Sequence, residues 1–84
     1  MKTIEHLVTN KEGIHAQPAM VLAYAAKKYS SDIILWKGDE RADMKNMFGL
    51  IGLCVKQNTS IRIEINGLDE EEATEKIAEL IADL

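Results

Sequence analysis

Ile61, Ile63 and Ile65 alternate with Arg62 and Glu64, and this period of two constrains the fold more than any other feature of the chain. Successive side chains of an extended strand point to opposite faces, so the segment buries one face and wets the other. A half-wet strand belongs to an antiparallel sheet that is open on one side. The other side needs a cover. With 84 residues there is material for one modest core, so a single domain over 1–84 is expected. A domain this small has little room for an enclosed active site. Its chemistry should lie at the surface, with a partner completing it.

The remaining elements follow from local signals. Residues 2–8 read as a strand with Ile4 and Val8 on one face, and Asn10-Lys11-Glu12-Gly13 as a turn. Pro18 suits the first turn of a helix, where its missing N–H has no partner to lose. Ala19, Leu22, Ala26 and Tyr29 then recur at helical spacing, predicting an amphipathic helix over 16–28 that ends in Lys27 and Lys28, charges that suit its dipole. Ile33-Ile34-Leu35-Trp36 is strand-like, Lys37-Gly38-Asp39 a turn, and a short strand follows near 40–44. Asn46 can cap a short helix through Met47, Phe48 and Ile51. After the Ile61–Ile65 strand, Asn66-Gly67 turns the chain. Asp69 or a neighbour starts a last helix whose buried side is expected to carry Leu68, Ala73, Ile77, Leu80, Ile81 and Leu84. The order is β-α-β-β-α-β-α, an α+β chain whose simplest packing puts three helices on one face of a four-stranded antiparallel sheet.

Charge excludes some functions. Between residues 69 and 84 seven carboxylates face Lys76 alone, a net of −6, so the other residues carry +2 of the chain's −4. No dense basic stripe is present, and the acidic end would repel a phosphate backbone, which argues against nucleic-acid binding. The single cysteine, Cys54, supports neither an internal disulfide nor a multi-cysteine metal site. It is expected to be a partly buried small residue, and His6, within a strand, to be structural. No apolar run approaches the ~20 residues that span a bilayer, and residues 1–6 lack a signal peptide's apolar stretch. The expectation is a cytoplasmic monomer with no metal, no cofactor and no membrane insertion.

The chemistry-bearing segment is Gly13-Ile14-His15-Ala16-Gln17-Pro18. It puts an imidazole at the threshold of a helix, after a glycine that permits an unusual turn. Free N–H groups and the dipole at a helix start bind anions, and imidazole is a nucleophile near neutral pH. A phosphorylated His15, its oxygens cradled by the amides of Ala16 and Gln17, fits this arrangement. From spacing alone, a histidine that merely caps the helix is the favoured reading.

This segment resembles the active-site signature of HPr, the histidine-containing phosphocarrier of the bacterial sugar phosphotransferase system. Ser31-Asp32-Ile33, Met44-Lys45-Asn46-Met47-Phe48-Gly49-Leu50, Leu53 and Gly67-Leu68-Asp69-Glu70 are similar to family patterns at the same spacing. The resemblance implies the family's open-faced β-sandwich. It implies that His15 takes a phosphoryl group on Nδ1 from phosphorylated Enzyme I and passes it to a histidine of an Enzyme IIA domain, the helix start at Ala16, Gln17 and Pro18 supporting the phosphate. Partner docking would fall on Met20, Tyr24 and Lys27, which share one helical face, and on Met47, Phe48 and Ile51. One or two of these six are expected to finish the core instead.

Two residues depart from the family pattern. Gln17 stands where arginine is usual, replacing a charged, forked donor by a neutral amide. Asn46 stands where many relatives carry a serine phosphorylated by a kinase. Asparagine keeps the cap but lacks the hydroxyl, so position 46 is expected not to be phosphorylatable. The competing reading is a regulatory module of the same family that rarely carries phosphate and contacts a partner, such as a transcriptional regulator, through Met47, Phe48 and Ile51. A third reading, an unrelated metal-chaperone or RNA-binding plait, finds no Cys-x-x-Cys pair and no aromatic sheet motif in basic surroundings. On the open sheet face, Trp36 with Ile34 and Leu7 either forms an apolar self-association patch or is shielded by Arg41 or Arg62.

Overall fold

The structure, a computed structural model, describes residues 1–84. Its elements are β1 (Lys2–Leu7), α1 (Ala16–Ala26), β2 (Asp32–Lys37), β3 (Glu40–Asp43), α2 (Met47–Gly52), β4 (Ser60–Asn66) and α3 (Glu70–Ile81). The four strands form one antiparallel sheet in the order β1-β4-β2-β3. The alternating isoleucine strand, β4, is central. Ile63 lies between Ile4 of β1 and Leu35 of β2, and Ile65 is opposite Ile33. Side chains of one parity, Ile33, Leu35, Ile61, Ile63 and Ile65, are buried with Leu22 and Ala26 of α1, Leu50 of α2, and Ala73, Ile77 and Ile81 of α3. Each such aliphatic side chain contributes about 1.5–3 kcal/mol by leaving water, so this one layer carries most of the fold's stability.

The other sheet face is wet, and Trp36 on it is shielded rather than sticky. The guanidinium groups of Arg62 and Arg41 stand over its ring at 5.3 and 5.5 Å, and its indole N–H donates to Glu64 Oε1 at 2.7 Å. Arg41 and Arg62 are the two residues paired across from Trp36 on β3 and β4, so the pleat itself aims both cations at the ring. Leu7 remains exposed. His6 faces the covered side opposite Ile61.

Several expectations are corrected. The first helix stops at Ala26 and not at residue 28; Lys27 caps it, and Lys28 and Tyr29 continue as a tighter turn donating to Ala25 and Ala26. Leu68 is fully exposed and not part of the buried side of α3. It lies in the turn before the helix, where the 3.6-residue period does not yet apply. Cys54 is exposed and not partly buried. It follows α2 with φ of +53°, a left-handed turn that sends its side chain out between the buried Leu53 and Val55. Leu80 is half-buried. Met44, not singled out by its spacing, is fully buried, because its N–H pairs with Ile33 and draws it beneath the sheet edge.

Asp69 precedes α3, yet its carboxylate makes no cap bond to that helix. It reaches back to the start of β2, accepting from the amides of Ser30 and Ser31, each at 2.9 Å, and from the Ser31 hydroxyl. The Ser31 hydroxyl and then the Ser30 amide hold its carboxyl at about 2, below the ordinary 3.8. The stability this latch supplies is complete above pH 3.8, and it is lost as the pH falls towards the lowered value. Thermal midpoints measured between pH 6 and 2 should therefore fall less steeply on the acid limb in Asp69→Asn than in the natural chain. Parallel acid limbs would contradict the latch.

Candidate functional site

The site is built on a loop tied to its surroundings by several hydrogen bonds. Gly13 has φ of +65°, its N–H donates to the Asn10 carbonyl, and the Asn10 side-chain amide donates back to the Gly13 carbonyl at 2.9 Å. The buried Ile14 donates its N–H to the Val55 carbonyl at 2.9 Å. His15 follows in extended backbone conformation (φ −86°, ψ −168°) and is the residue immediately before α1. The amides of Asn10 and Thr9 both donate to the Leu84 carbonyl, which brings the end of α3 alongside.

The His15 ring does not cap the helix: its side chain makes no hydrogen bond to the first turn. It is 38% exposed, and its Nε2 lies 3.1 Å from Glu12 Oε2. A simple capping role is therefore excluded. In the first turn, Pro18 has no N–H and the Ala19 N–H is taken by the His15 carbonyl. The main-chain donors left for an anion are those of Ala16 and Gln17. His15, Gln17, Pro18, Val21, Leu22, Leu80, Asp83 and Leu84 line a shallow depression of about 360 Å³. No lysine or arginine is among them. The site thus offers a nucleophile and two amides, while its nearby side-chain charges, Glu12 and Asp83, are both negative.

The residues expected to dock partners fall into two groups. Met20, Tyr24, Lys27 and Phe48 are exposed, Tyr24 at 69% and Phe48 at 76%. Met47 and Ile51 are half-buried and pack against the core, so these two help finish it. Met20, Tyr24, Lys27, Met47 and Phe48 line one hollow of about 340 Å³ between α1 and α2; Ile51 lies outside it. Lys28 covers the Tyr24 ring at 4.9 Å. Asn46 borders the same hollow, and its side-chain oxygen accepts from the amides of Phe48 (3.1 Å) and Gly49 (3.2 Å). The cap is intact without a hydroxyl.

Glu12, Asp83 and the Val55 loop were not expected at the site. Asp83 and Val55 are distant in sequence and carry no local signal. Glu12 stands three residues before His15, but outside a helix such spacing has no fixed geometry; only the glycine turn makes the two side chains meet.

Comparison with known proteins identifies the family. A family profile described as "PTS HPr component phosphorylation site" matches residues 2–83. The chain is 31% identical over 83 residues to the phosphocarrier protein HPr of Mycoplasma capricolum subsp. capricolum, covering 99% of this chain and 93% of that protein. The crystal structure of HPr-C-His from Thermoanaerobacter tengcongensis superposes with a TM-score of 0.91 at 34% identity, covering 98% of this chain and 92% of that one. The domain-swapped dimer of the catabolite repression protein Crh from Bacillus subtilis superposes at 0.77 with 31% identity, covering 99% and 95%. With its open-faced sheet, its three covering helices and a family match that runs almost from end to end, the chain belongs to the HPr family, the phosphocarrier component of the phosphotransferase system.

Proposed function

We propose that His15 is the phosphoryl acceptor of this carrier, taking the group on Nδ1 from phosphorylated Enzyme I and passing it to Enzyme IIA domains. One observation carries the reading: a half-exposed imidazole belongs to the residue immediately before α1, whose first two amides, those of Ala16 and Gln17, are unpaired, and its own side chain is free of any capping duty. Phosphoryl transfer needs little covalent work from a carrier beyond positioning and charge stabilisation. The two amides supply part of the charge term. The depression contains no cation, so the rest comes from the partner, which fits a protein too small to enclose the reaction. Met20, Tyr24, Lys27 and Phe48 form the surface on which that partner seats.

The test is incubation with Enzyme I and phosphoenolpyruvate, followed by intact mass and peptide mapping. An acid-labile phosphate on His15 is the expected result. The same protein carrying no phosphate would select the second reading, a regulatory module that works through the α1–α2 hollow. Gln17 and Asn46, the two departures from the family pattern, are the features that support that alternative.

Gln17 sets the rate. A hydrogen bond from a charged donor is worth about 1.5–3 kcal/mol and a neutral one about 1. The Gln17→Arg chain should therefore accept phosphate from Enzyme I roughly twofold to thirtyfold faster, the conversion of a difference of about 0.5–2 kcal/mol. Rapid-quench phosphorylation rates measure this, and equal rates for the two chains would refute the account.

A further inference from the structure

We infer that Glu12 is a positioning residue for phosphoryl transfer, holding the His15 proton on Nε2 so that Nδ1 presents its lone pair. The inference rests on the carrier reading above and assigns a role to a residue outside the helix-start motif. A carboxylate only accepts hydrogen bonds. With Glu12 Oε2 3.1 Å from Nε2, a close contact outside hydrogen-bond alignment, the carboxylate charge favours the tautomer with hydrogen on that nearer nitrogen, and in the neutral imidazole the other nitrogen is then bare. The pair is exposed, Glu12 at 74%, and an exposed pair of flexible side chains is usually weak. Here the intervening backbone is pinned by the bonds of Gly13 to Asn10 and of Ile14 to Val55, so less freedom remains to be lost when the pair forms. Asp83, which lines the depression with His15, is a second carboxylate at the site, and no hydrogen bond joins either carboxylate to the imidazole.

The atoms balance without a base. As phosphate arrives, the Nδ1 lone pair forms the N–P bond, and the donor's bond to phosphorus breaks with its electrons leaving on the donor. The ring is then a phosphoimidazolium, its hydrogen still on Nε2 and its positive charge opposed by Glu12. As phosphate departs, the N–P electrons return to Nδ1 and the ring is again neutral with the hydrogen unmoved. Fixing that hydrogen also makes the ring a good leaving group, since it departs neutral. Glu12 thereby supplies a counter-charge on the side of the ring away from the phosphoryl group, where it opposes the imidazolium without crowding the anion.

Long-range proton–nitrogen correlation spectra of the unphosphorylated chain, taken above neutral pH, read the tautomer directly. The natural chain should show His15 with hydrogen on Nε2, and Glu12→Ala should shift the ratio towards the other form by about threefold. Glu12→Gln, which keeps the shape but not the charge, should fall between the two. Transfer from phosphorylated chain to an Enzyme IIA domain should slow in the order natural, Gln, Ala. An unchanged tautomer ratio in Glu12→Ala, or hydrogen on Nδ1 in the natural chain, overturns the assignment, as does an unchanged transfer rate. Absence of phosphate on every chain would instead sink the carrier reading, and the tautomer ratio would still decide whether Glu12 orients the ring.

Discussion

Replacing His15 with alanine is expected to abolish phosphate uptake completely while leaving the fold intact. The two halves of this expectation have separate physical sources. Uptake requires a nucleophile at the helix start. The neighbouring amides of Ala16 and Gln17 can only donate hydrogen bonds, so nothing else there can form a bond to phosphorus. His6 does not substitute, because it lies within β1 on the covered side of the sheet. Stability, by contrast, owes His15 little. Its side chain makes no cap bond, and its exposed pairing with Glu12 belongs to a class worth about 0.2–1 kcal/mol. For a chain of this length 1 kcal/mol shifts the midpoint by about 4–8 °C, so the variant should melt within that interval of the natural chain. Intact mass after incubation with Enzyme I and phosphoenolpyruvate gives the first result and a thermal melt the second. Full phosphate uptake by a folded His15→Ala chain would remove the basis of the proposed function. A collapsed midpoint would mean that the histidine is structural.

Much of the architecture was legible because it follows from short-range periodicities. The Ile61–Ile65 alternation identified the central strand and its buried face, and the Ala19–Leu22–Ala26 spacing identified the helix beneath it. Errors arose where local period and tertiary demand part company. Leu68 lies one residue short of Asp69, the residue that precedes α3, and so escapes the stripe that Ala73, Ile77 and Ile81 obey. Cys54 is turned outward by a left-handed backbone that nothing in its side chain announces. Asp69 has the composition of a helix cap but is spent on Ser30 and Ser31, partners thirty-eight or more residues away. At the site, the placement of His15 immediately before α1 was readable from order alone, because a helix start is a local event. The missing cation was readable too, in Gln17. Glu12 and Asp83 were not, since their closeness to the ring depends on the Asn10–Gly13 turn and on the end of α3 meeting the loop before α1.

That turn yields the larger of the stability predictions. Gly13 has φ of +65°, and a Cβ built there would lie 2.1 Å from the Val55 carbonyl oxygen and 2.8 Å from the Lys56 Cα. Both are backbone atoms, and the Val55 oxygen already accepts from Ile14, so neither can retreat without breaking the contact that seats the loop. An alanine at 13 therefore incurs the left-handed penalty of about 1–2 kcal/mol and, in addition, severs or strains the Ile14–Val55 bond, a further loss of roughly 1 kcal/mol or more. A total of about 2–4 kcal/mol is a large share of the 5–15 kcal/mol that ordinarily holds a domain together, so the midpoint should drop by more than about 10 °C. Gly38 is the control. Its φ of +61° imposes the same backbone penalty, but no atom lies within 4 Å of its would-be Cβ, so Gly38→Ala should lose only the first part. Because the clash displaces Val55 and Ile14 together, Gly13→Ala should also move His15 away from the amides of Ala16 and Gln17. At a temperature where both variants remain folded, it should take up phosphate more slowly than Gly38→Ala. Equal midpoints for the two variants would show that the Val55 contact does not hold the loop, and with it would go the rigidity on which the geometry around His15 depends.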